Sequence, residues 1–229
     1  MRTNPLYVLL ISILPLMICS GMVYSILALY ISDFGATKTH IGLIFMVGAA
    51  AGAFLAPVFG KLSDKIGRRP VLIFSTAIFM VAFFLYSIIG SFVHAFPIQA
   101  FEGFAWASMG VTVTAYVADI APEEKRGWAM GMYERTWFIG WLVGPALGGF
   151  LADTIGFRLT FIVGSTLIAF GLLMMIMYVK EPKKLEKKDT TIEQIKQKLD
   201  KLEKMSPEDV RQLMKQIETV CKLRAKLKS

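Results

Sequence analysis

The sequence predicts an all-α membrane protein: six transmembrane helices forming two inverted three-helix repeats, followed by a cytoplasmic helical tail. Three observations predict it. The chain of 229 residues is 55% hydrophobic with a mean hydropathy of +0.57, and its apolar residues come in runs too long and too uniform to be single faces of soluble helices. The polar, basic stretch GKLSDKIGRRPVL at residues 60–72 has about twenty apolar residues on each side, so it reads as a tight loop between two spans. That stretch then returns as GFLADTIGFR at residues 149–158, where Gly149, Leu151, Asp153, Ile155, Gly156 and Arg158 repeat Gly60, Leu62, Asp64, Ile66, Gly67 and Arg69. Three spans separate the copies, an odd number, which puts them on opposite faces of the membrane.

Span one occupies the first 31 residues, with one early charge at Arg2, an unbroken apolar run from Pro5 and a bend expected near Pro15. A signal peptide would have a shorter apolar core and a small-residue cleavage site. A polar turn at residues 33–40 leads into span two, residues 41–58, where Gly48 and Gly52 form a small-xxx-small face suited to close packing. Span three, residues 70–89, carries no charge and ends in a brief loop around His94 and Pro97. Span four, residues 98–120, holds Gln99 and Glu102 near one end and Asp119 at the other. The loop APEEKRG returns the chain to span five, residues 128–152, which carries Glu134 and Arg135 before a glycine-rich run; span six covers 159–178. The repeats are therefore residues 5–90 and 97–179, within a bundle ending at residue 182.

Charge gives the orientation. Arg2, Lys61, Lys65, Arg68, Arg69, Lys125, Arg126 and the start of the tail fall on one side, against Lys38 and Arg158 on the other, so both termini are expected in the cytoplasm. Short outer loops point to a prokaryotic inner membrane. Of 25 Lys and Arg, 15 lie in residues 180–229 beside 9 acids, so the basic excess belongs to the tail. Basic residues next to a last span favour anionic lipid, and no base-reading motif argues for nucleic acid. In the tail, residues 183–229, Thr190 with Glu193 fits a capping box, and Ser206-Pro207 restarts a helical pattern. A helical hairpin, a linker between halves and a solvated charged segment all remain open for it. Cys19 and Cys221 are too separated in character to pair, and no metal-ligand spacing occurs.

Residues 60–72 fit GxLaDrxGrkxxl, with Gly60, Leu62, Asp64, Lys65, Gly67, Arg68, Arg69 and Leu72 in place. This resembles the loop signature of the major facilitator superfamily. Gly140, Gly144, Pro145, Gly148 and Gly149 fit gxxxGPxxGG, similar to the superfamily's antiporter signature, above all that of drug–proton exporters. Glycines four apart leave a groove for a neighbouring helix, and Pro145 removes a backbone donor. The segment APEEKRGWAMG resembles the family's second cytoplasmic loop. The resemblance covers residues 5–182 and implies alternating access, with a cytoplasmic latch made of Asp64, Arg68 and Asp119. Asp64 would face a helix start in an opposite half, and Arg68 would pair with Asp119. Such bonds are modest and can break in each cycle.

Two departures bear on substrate. Many exporters have an Arg four residues before a span-four Gly; counting back from Gly103, that position holds Gln99, and Glu102 stands where a Gln is usual. Span one has no acid. Glu102 is the remaining carboxylate deep enough to bind a proton or a cationic substrate, unless it sits in the outer headgroups and stays hydrated. Glu134 and Arg135 point to different faces and are expected to pair with other helices. Tyr24, Trp106, Tyr116, Trp137 and Trp141 could line a pathway, although each alone fits ordinary packing or an interfacial belt.

No enzyme and no cofactor is expected: His40 and His94 lie in short loops without a catalytic constellation, and there is no phosphate-cradling loop. The expected activity is ion-gradient-driven export of an amphipathic small molecule. Metabolite uptake and a membrane anchor acting through its tail are the alternatives. Family carriers have two six-span halves, so the expected partners are lipid, a small-molecule substrate and a second half, from another copy or another chain.

Overall fold

The computed structural model describes residues 4–182 and the isolated positions 200 and 211. The chain divides into two units, Met1–Lys183 and Lys184–Ser229, and the proposed tail hairpin, with Thr190 and Glu193, lies outside the described residues.

The described part of the first unit is helical, with no strand among its residues. It comprises α1 (Pro5–Asp33), α2 (Lys38–Ile66), α3 (Arg68–Ile88), α4 (Ala95–Ile120) and α5 (Arg126–Tyr178), with 3₁₀ turns at Phe92–His94 and Glu123–Lys125. Local chemistry sets the ends. Asn4 caps α1 by accepting the Leu6 N–H at 3.1 Å, with Pro5 in the first turn, where a missing donor costs nothing. Pro15 lies inside α1 without ending it. Thr37 and His40 form a reciprocal capping box that starts α2.

Two breaks dominate the backbone. Gly67 has φ 102°, ψ 163° and separates α2 from α3; Gly156 has φ 81°, ψ 161° and interrupts α5. This region is essentially glycine-only, with a strain of about 1–3 kcal/mol for other residues. The two glycines are equivalent in the sequence repeat and share one backbone conformation. Without its break, the 53 residues of α5 would run to about 80 Å, far more than the roughly 30 Å hydrocarbon core.

The stretch at residues 60–72 is not the loop its polarity implied. α2 continues through Gly60, Lys61 and Asp64 to Ile66, and the chain turns at Gly67 alone. Likewise α5 stays helical through Asp153 and Ile155. Polar residues mark where a helix leaves apolar surroundings, but a helix satisfies its own backbone and can project onward. One residue at positive φ is enough to turn it.

Among the described residues, four helices are long and apolar enough to cross a membrane: Pro5–Asp33, Lys38–Ile66, Arg68–Ile88 and the segment Glu123–Tyr178. Helix α4 is more polar, and its polarity is turned inward: Gln99, Glu102, Ser108 and Thr112 are all buried. The outer surface is apolar, with Phe54 82% and Leu142 77% exposed, as lipid contact requires and water would penalise.

Helix α1 forms the centre of one side, packed along both segments of α5; α4 takes the corresponding place on the other, between α2 and α3. On α5, Gly140 and Gly144 meet α1 from the first segment, and Gly164 and Gly171 from the second. Leu9, Ile13, Leu16, Met17 and Val23 of α1 are completely buried.

Candidate functional site

Two polar clusters stand out in this apolar bundle. The first surrounds the Gly67 break. Turning the chain there directs Arg68 back under α2, where its guanidinium is satisfied on three sides: Nη2 lies 2.6 Å from Asp64 Oδ1, Nε 3.0 Å from Asp119 Oδ2, and Nη1 donates to Ser63 Oγ at 2.8 Å. Arg68 is only 7% exposed, whereas the Asp64 side chain is 63% exposed and that of Asp119 22%. The enclosed cation thus depends mainly on Asp119, and the Asp64 pair faces solvent. The Asp64, Arg68 and Asp119 of the signature are brought together, tying the end of α2 to the start of α3 and the end of α4.

A further acid belongs to this cluster. Glu181, just past α5, accepts the backbone N–H groups of Arg68 at 2.6 Å and Arg69 at 2.8 Å, one with each carboxylate oxygen. It thereby caps the N-terminus of α3, where the helix dipole favours an anion. A β-carbon on Gly67 would stand 2.8 Å from Glu181 Oε1, so this position needs glycine for space as well as for φ. Sequence reasoning missed Glu181 because an acid among lysines beyond a last span looks like ordinary linker. Arg69 donates to the Ile176 carbonyl at 2.7 Å, near the end of α5. Its repeat counterpart Arg158 donates to the Ile89 carbonyl at 3.1 Å, at the end of α3. Each copy's arginine thus reaches the closing helix of the other copy. Tyr116, one of the aromatics that could line a pathway or simply pack, donates to the Lys180 carbonyl at 2.8 Å. Gly60 has open space around it.

The glycine signature of α5 is a packing face. A β-carbon on Gly140 would lie 2.5 Å from the Met17 carbonyl carbon, and one on Gly144 would lie 2.8 Å from the α-carbon of Gly21. Gly148 presses on Met22, and Pro145 lies beside Gly21, but Gly149 faces open space. Close approach of two backbones is what small residues provide between membrane helices. A similar approach joins α2 to α4, where Gly103 lies against the Gly48 carbonyl.

The second cluster lies between α1, α2 and α4. A cavity of about 450 Å³ is lined by Tyr24, Phe45, Gly48, Gly52, Gln99 and Trp106, among others. Tyr24 stacks on Phe45 at 5.9 Å and leans on Trp141 at 6.1 Å; Trp141 in turn stacks on Trp137 at 5.3 Å. Behind the wall, Glu102 is wholly buried, which removes the hydrated headgroup position as an alternative. Its Oε2 lies 3.1 Å from Tyr86 Oη, which is 2.6 Å from Gln99 Oε1. Gln99 Nε2 lies 3.4 Å from Tyr24 Oη, to which Trp106 Nε1 donates at 3.1 Å. Among the described residues Glu102 Oε1 has no hydrogen-bond partner. Tyr86 was not anticipated, because only the packing of α3 on α4 brings it to Glu102. Glu134 and Arg135 do not form the expected pairs with other helices: both are exposed, and neither makes an ion pair among the described residues.

Helices with a lipid-compatible exterior, a charge cluster at one end and a polar network beside an internal cavity define a multi-pass membrane protein of the transporter class. The chain belongs to the Major Facilitator Superfamily, whose family model matches residues 9–219. It is 26% identical over 179 residues to the quinolone resistance protein NorA of Staphylococcus aureus, an alignment covering 78% of this chain and 46% of that protein. It is 28% identical over 188 residues to the uncharacterized MFS-type transporter MJ1560 of Methanocaldococcus jannaschii, covering 80% and 49%. The chain thus spans about half the length of the curated relatives it matches. Among solved structures, the human organic anion transporter MFSD10 (TETRAN) has TM-score 0.67 at 18% identity, covering 80% of this chain and 49% of that one. A bacterial homologue of the human lysosomal transporter Spinster, inward-facing and unoccupied, has TM-score 0.69 at 16% identity, covering 80% and 44%.

Proposed function

We propose that this chain forms one half of a secondary active transporter, six spans in two inverted triplets, that exports an amphipathic small molecule and is driven by an ion gradient. The observation that carries this reading is the wholly buried Glu102 joined through Gln99 to the aromatic cavity. A carboxyl in the apolar interior is costly to maintain and marks an ion or substrate path. The matched conformations of Gly67 and Gly156 support the inverted repeat, as do the reciprocal reaches of Arg69 and Arg158. Similarity to a quinolone resistance protein favours export over uptake.

In this mechanism the cavity forms one wall of the substrate path, and a second half, from another copy or another chain, supplies the facing wall. Aromatic faces of Tyr24, Phe45 and Trp141 take the apolar part of the solute. Arg68, Asp64, Asp119 and Glu181 act at the cytoplasmic end, where α2, α3, α4 and the chain after α5 are joined by bonds that dissolve and re-form as that end opens. A latch of this kind needs to bias the two states by only a few kcal/mol. Glu134 and Arg135, exposed on α5, are available to the facing half. The bundle of residues 1–182 sits in the cell membrane with both termini in the cytoplasm, and residues 183–229 correspond to the linker between the halves.

The test is extrusion of a fluorescent amphipathic cation from cells expressing the chain with a matching second half. The wild type should extrude the dye, and Asp64→Asn and Glu102→Gln should each slow extrusion at least several-fold at equal expression. Extrusion by the wild type no faster than by Asp64→Asn would sink the assignment. A phenotype that survives both substitutions but is lost on deletion of residues 190–229 would favour the membrane-anchor alternative.

A further inference from the structure

The hydrogen bonds around Glu102 raise a problem of proton counting. Tyr86 Oη approaches both Gln99 Oε1 and Glu102 Oε2, at 2.6 and 3.1 Å. One phenolic proton serves one acceptor. With that proton on the shorter contact to Gln99, the contact to Glu102 is bonding only if the carboxyl itself carries a proton and donates to Tyr86 Oη. Gln99 Nε2 and Trp106 Nε1 then both donate to Tyr24 Oη, so the Tyr24 proton is held by neither Gln99 nor Trp106, and the cavity that Tyr24 lines is open to it.

A second arrangement satisfies the same five groups with one proton fewer. If the Gln99 amide makes a half-turn about its Cγ–Cδ bond, Nε2 donates to Tyr86 Oη and the Tyr86 O–H turns to donate a hydrogen bond to ionised Glu102. Tyr24, still accepting from Trp106, now donates to Gln99 Oε1. The proton balance is simple: one proton leaves Glu102 for bulk water, both tyrosines keep theirs, and the three bonds from Glu102 through Tyr86 and Gln99 to Tyr24 reverse while that from Trp106 stays. The terminal torsion of glutamine is broad and two-fold, so the turn itself crosses no large intrinsic barrier.

The space for that turn is specific. A β-carbon on Gly48 would lie 2.9 Å from Gln99 Cγ and 2.9 Å from its Nε2. The missing side chain on α2 thus makes the place in which Gln99, from its backbone carbonyl at 3.0 Å to its amide, is seated. Glu102 itself does not line the cavity, whereas Gln99 and Tyr24 do. Beside Glu102 stand Tyr24 from α1, Tyr86 from α3 and, on its own helix, Trp106. Among the described residues the ion pairs all belong to Arg68, so no charged group of α1, α2, α3 or α5 competes for this carboxyl.

We propose that Gln99 and Tyr24 are positioning residues that carry the protonation state of Glu102 into the cavity, by reversal of the Gln99 amide in the space left by Gly48. With Glu102 protonated, the cavity offers the Tyr24 O–H as a donor, suiting solutes with exposed acceptors. With Glu102 ionised that donor is withdrawn, and solutes bearing N–H donors or positive charge are favoured. The solute and the proton then exclude each other without touching. This rests on the proposed reading of Glu102 as a carboxyl on the ion path, with the proton taken as the ion.

The experiment is pH-difference infrared spectroscopy of the full chain in lipid nanodiscs. Lowering the pH should bring up a protonated-carboxyl C=O band that is lost in Glu102→Gln. A tyrosine C–O band should shift in the same titration step and be lost in Tyr24→Phe. In Gln99→Met, and independently in Gly48→Ala, which keeps every polar group, the carboxyl band should remain while the Tyr24 shift disappears. Persistence of the Tyr24 shift in both variants, or a wild type whose carboxyl titrates without it, overturns the relay and leaves Glu102 as the proton site. Absence of any carboxyl band sensitive to Glu102→Gln overturns the proton site, and the relay with it.

Discussion

The glycines of the span-five signature are not equivalent, and two single-methyl substitutions separate them. At Gly140 an added β-carbon meets the Met17 backbone at 2.5 Å, and its other neighbours, Met17 Cβ and carbonyl oxygen, stand at 2.6 Å. Real contacts of this kind lie near 3.5–4.0 Å, so α1 and α5 would have to separate by about 1 Å. The obstacle is backbone, which cannot swing aside. Overpacking of this kind costs about 1–3 kcal/mol, and rigid neighbours favour the upper end. Replacing glycine by alanine within a helix returns about 0.8–1.0 kcal/mol. Gly140→Ala should therefore lose about 2 kcal/mol net. Gly149→Ala meets nothing within 4 Å and should gain up to about 1 kcal/mol. The two variants should differ by about 3 kcal/mol, on the order of a hundredfold in the folded-to-unfolded ratio. Reversible unfolding in mixed micelles, titrated with denaturing detergent, measures this directly. Equal midpoints for the two variants would refute the claim that the signature is a packing face on α1.

Gly67→Ala should destabilise the cytoplasmic end by about 1–3 kcal/mol through backbone strain alone, with further loss as Glu181 is pushed off the α3 N-terminus; hydrogen exchange at Arg68 and Arg69 should rise well above wild type, and unchanged exchange would count against the capping role. Asp119→Asn should loosen the latch more than Asp64→Asn, because Asp119 is the more enclosed partner of a buried guanidinium. The exposed Asp64 pair is of the kind worth about 0–1 kcal/mol. The check is the rate of thiol labelling at a cysteine placed at Ser63, which should rise most in Asp119→Asn; a larger rise in Asp64→Asn would reverse the assignment.

Much of this bundle was legible because the membrane makes sequence patterns blunt. Long apolar runs have to be helices in lipid, and the pairing of Arg68 with Asp119 came from the family resemblance of the stretch around Gly60, Asp64 and Gly67, not from its spacing. The repeat pairing of Gly67 with Gly156 matched two residues that share an unusual backbone conformation. What escaped was anything depending on which side of a helix faces inward. Lipid exposure removes the amphipathic stripe that orients a soluble helix, so Tyr86 could not be matched to Glu102, and nothing separated Tyr116, a packing residue, from Tyr24, which lines the cavity. The ends of α2 and of the first part of α5 were misplaced because polarity reports where apolar surroundings stop, and a helix runs past that point. Glu181 gave no signal: its role depends on a turn at Gly67 more than a hundred residues away in the chain.

The central claim is that solute movement and proton movement are linked at Glu102. Vesicles reconstituted with the chain and its second half, loaded with a pH-sensitive dye and challenged with an amphipathic cation, test it most directly. Cation entering on one side should drive protons the opposite way, with the dye reporting the change, and Glu102→Gln should abolish the proton signal while leaving the protein folded. Cation flux in the wild type with no proton movement, or a proton signal unaltered in Glu102→Gln, would contradict the account.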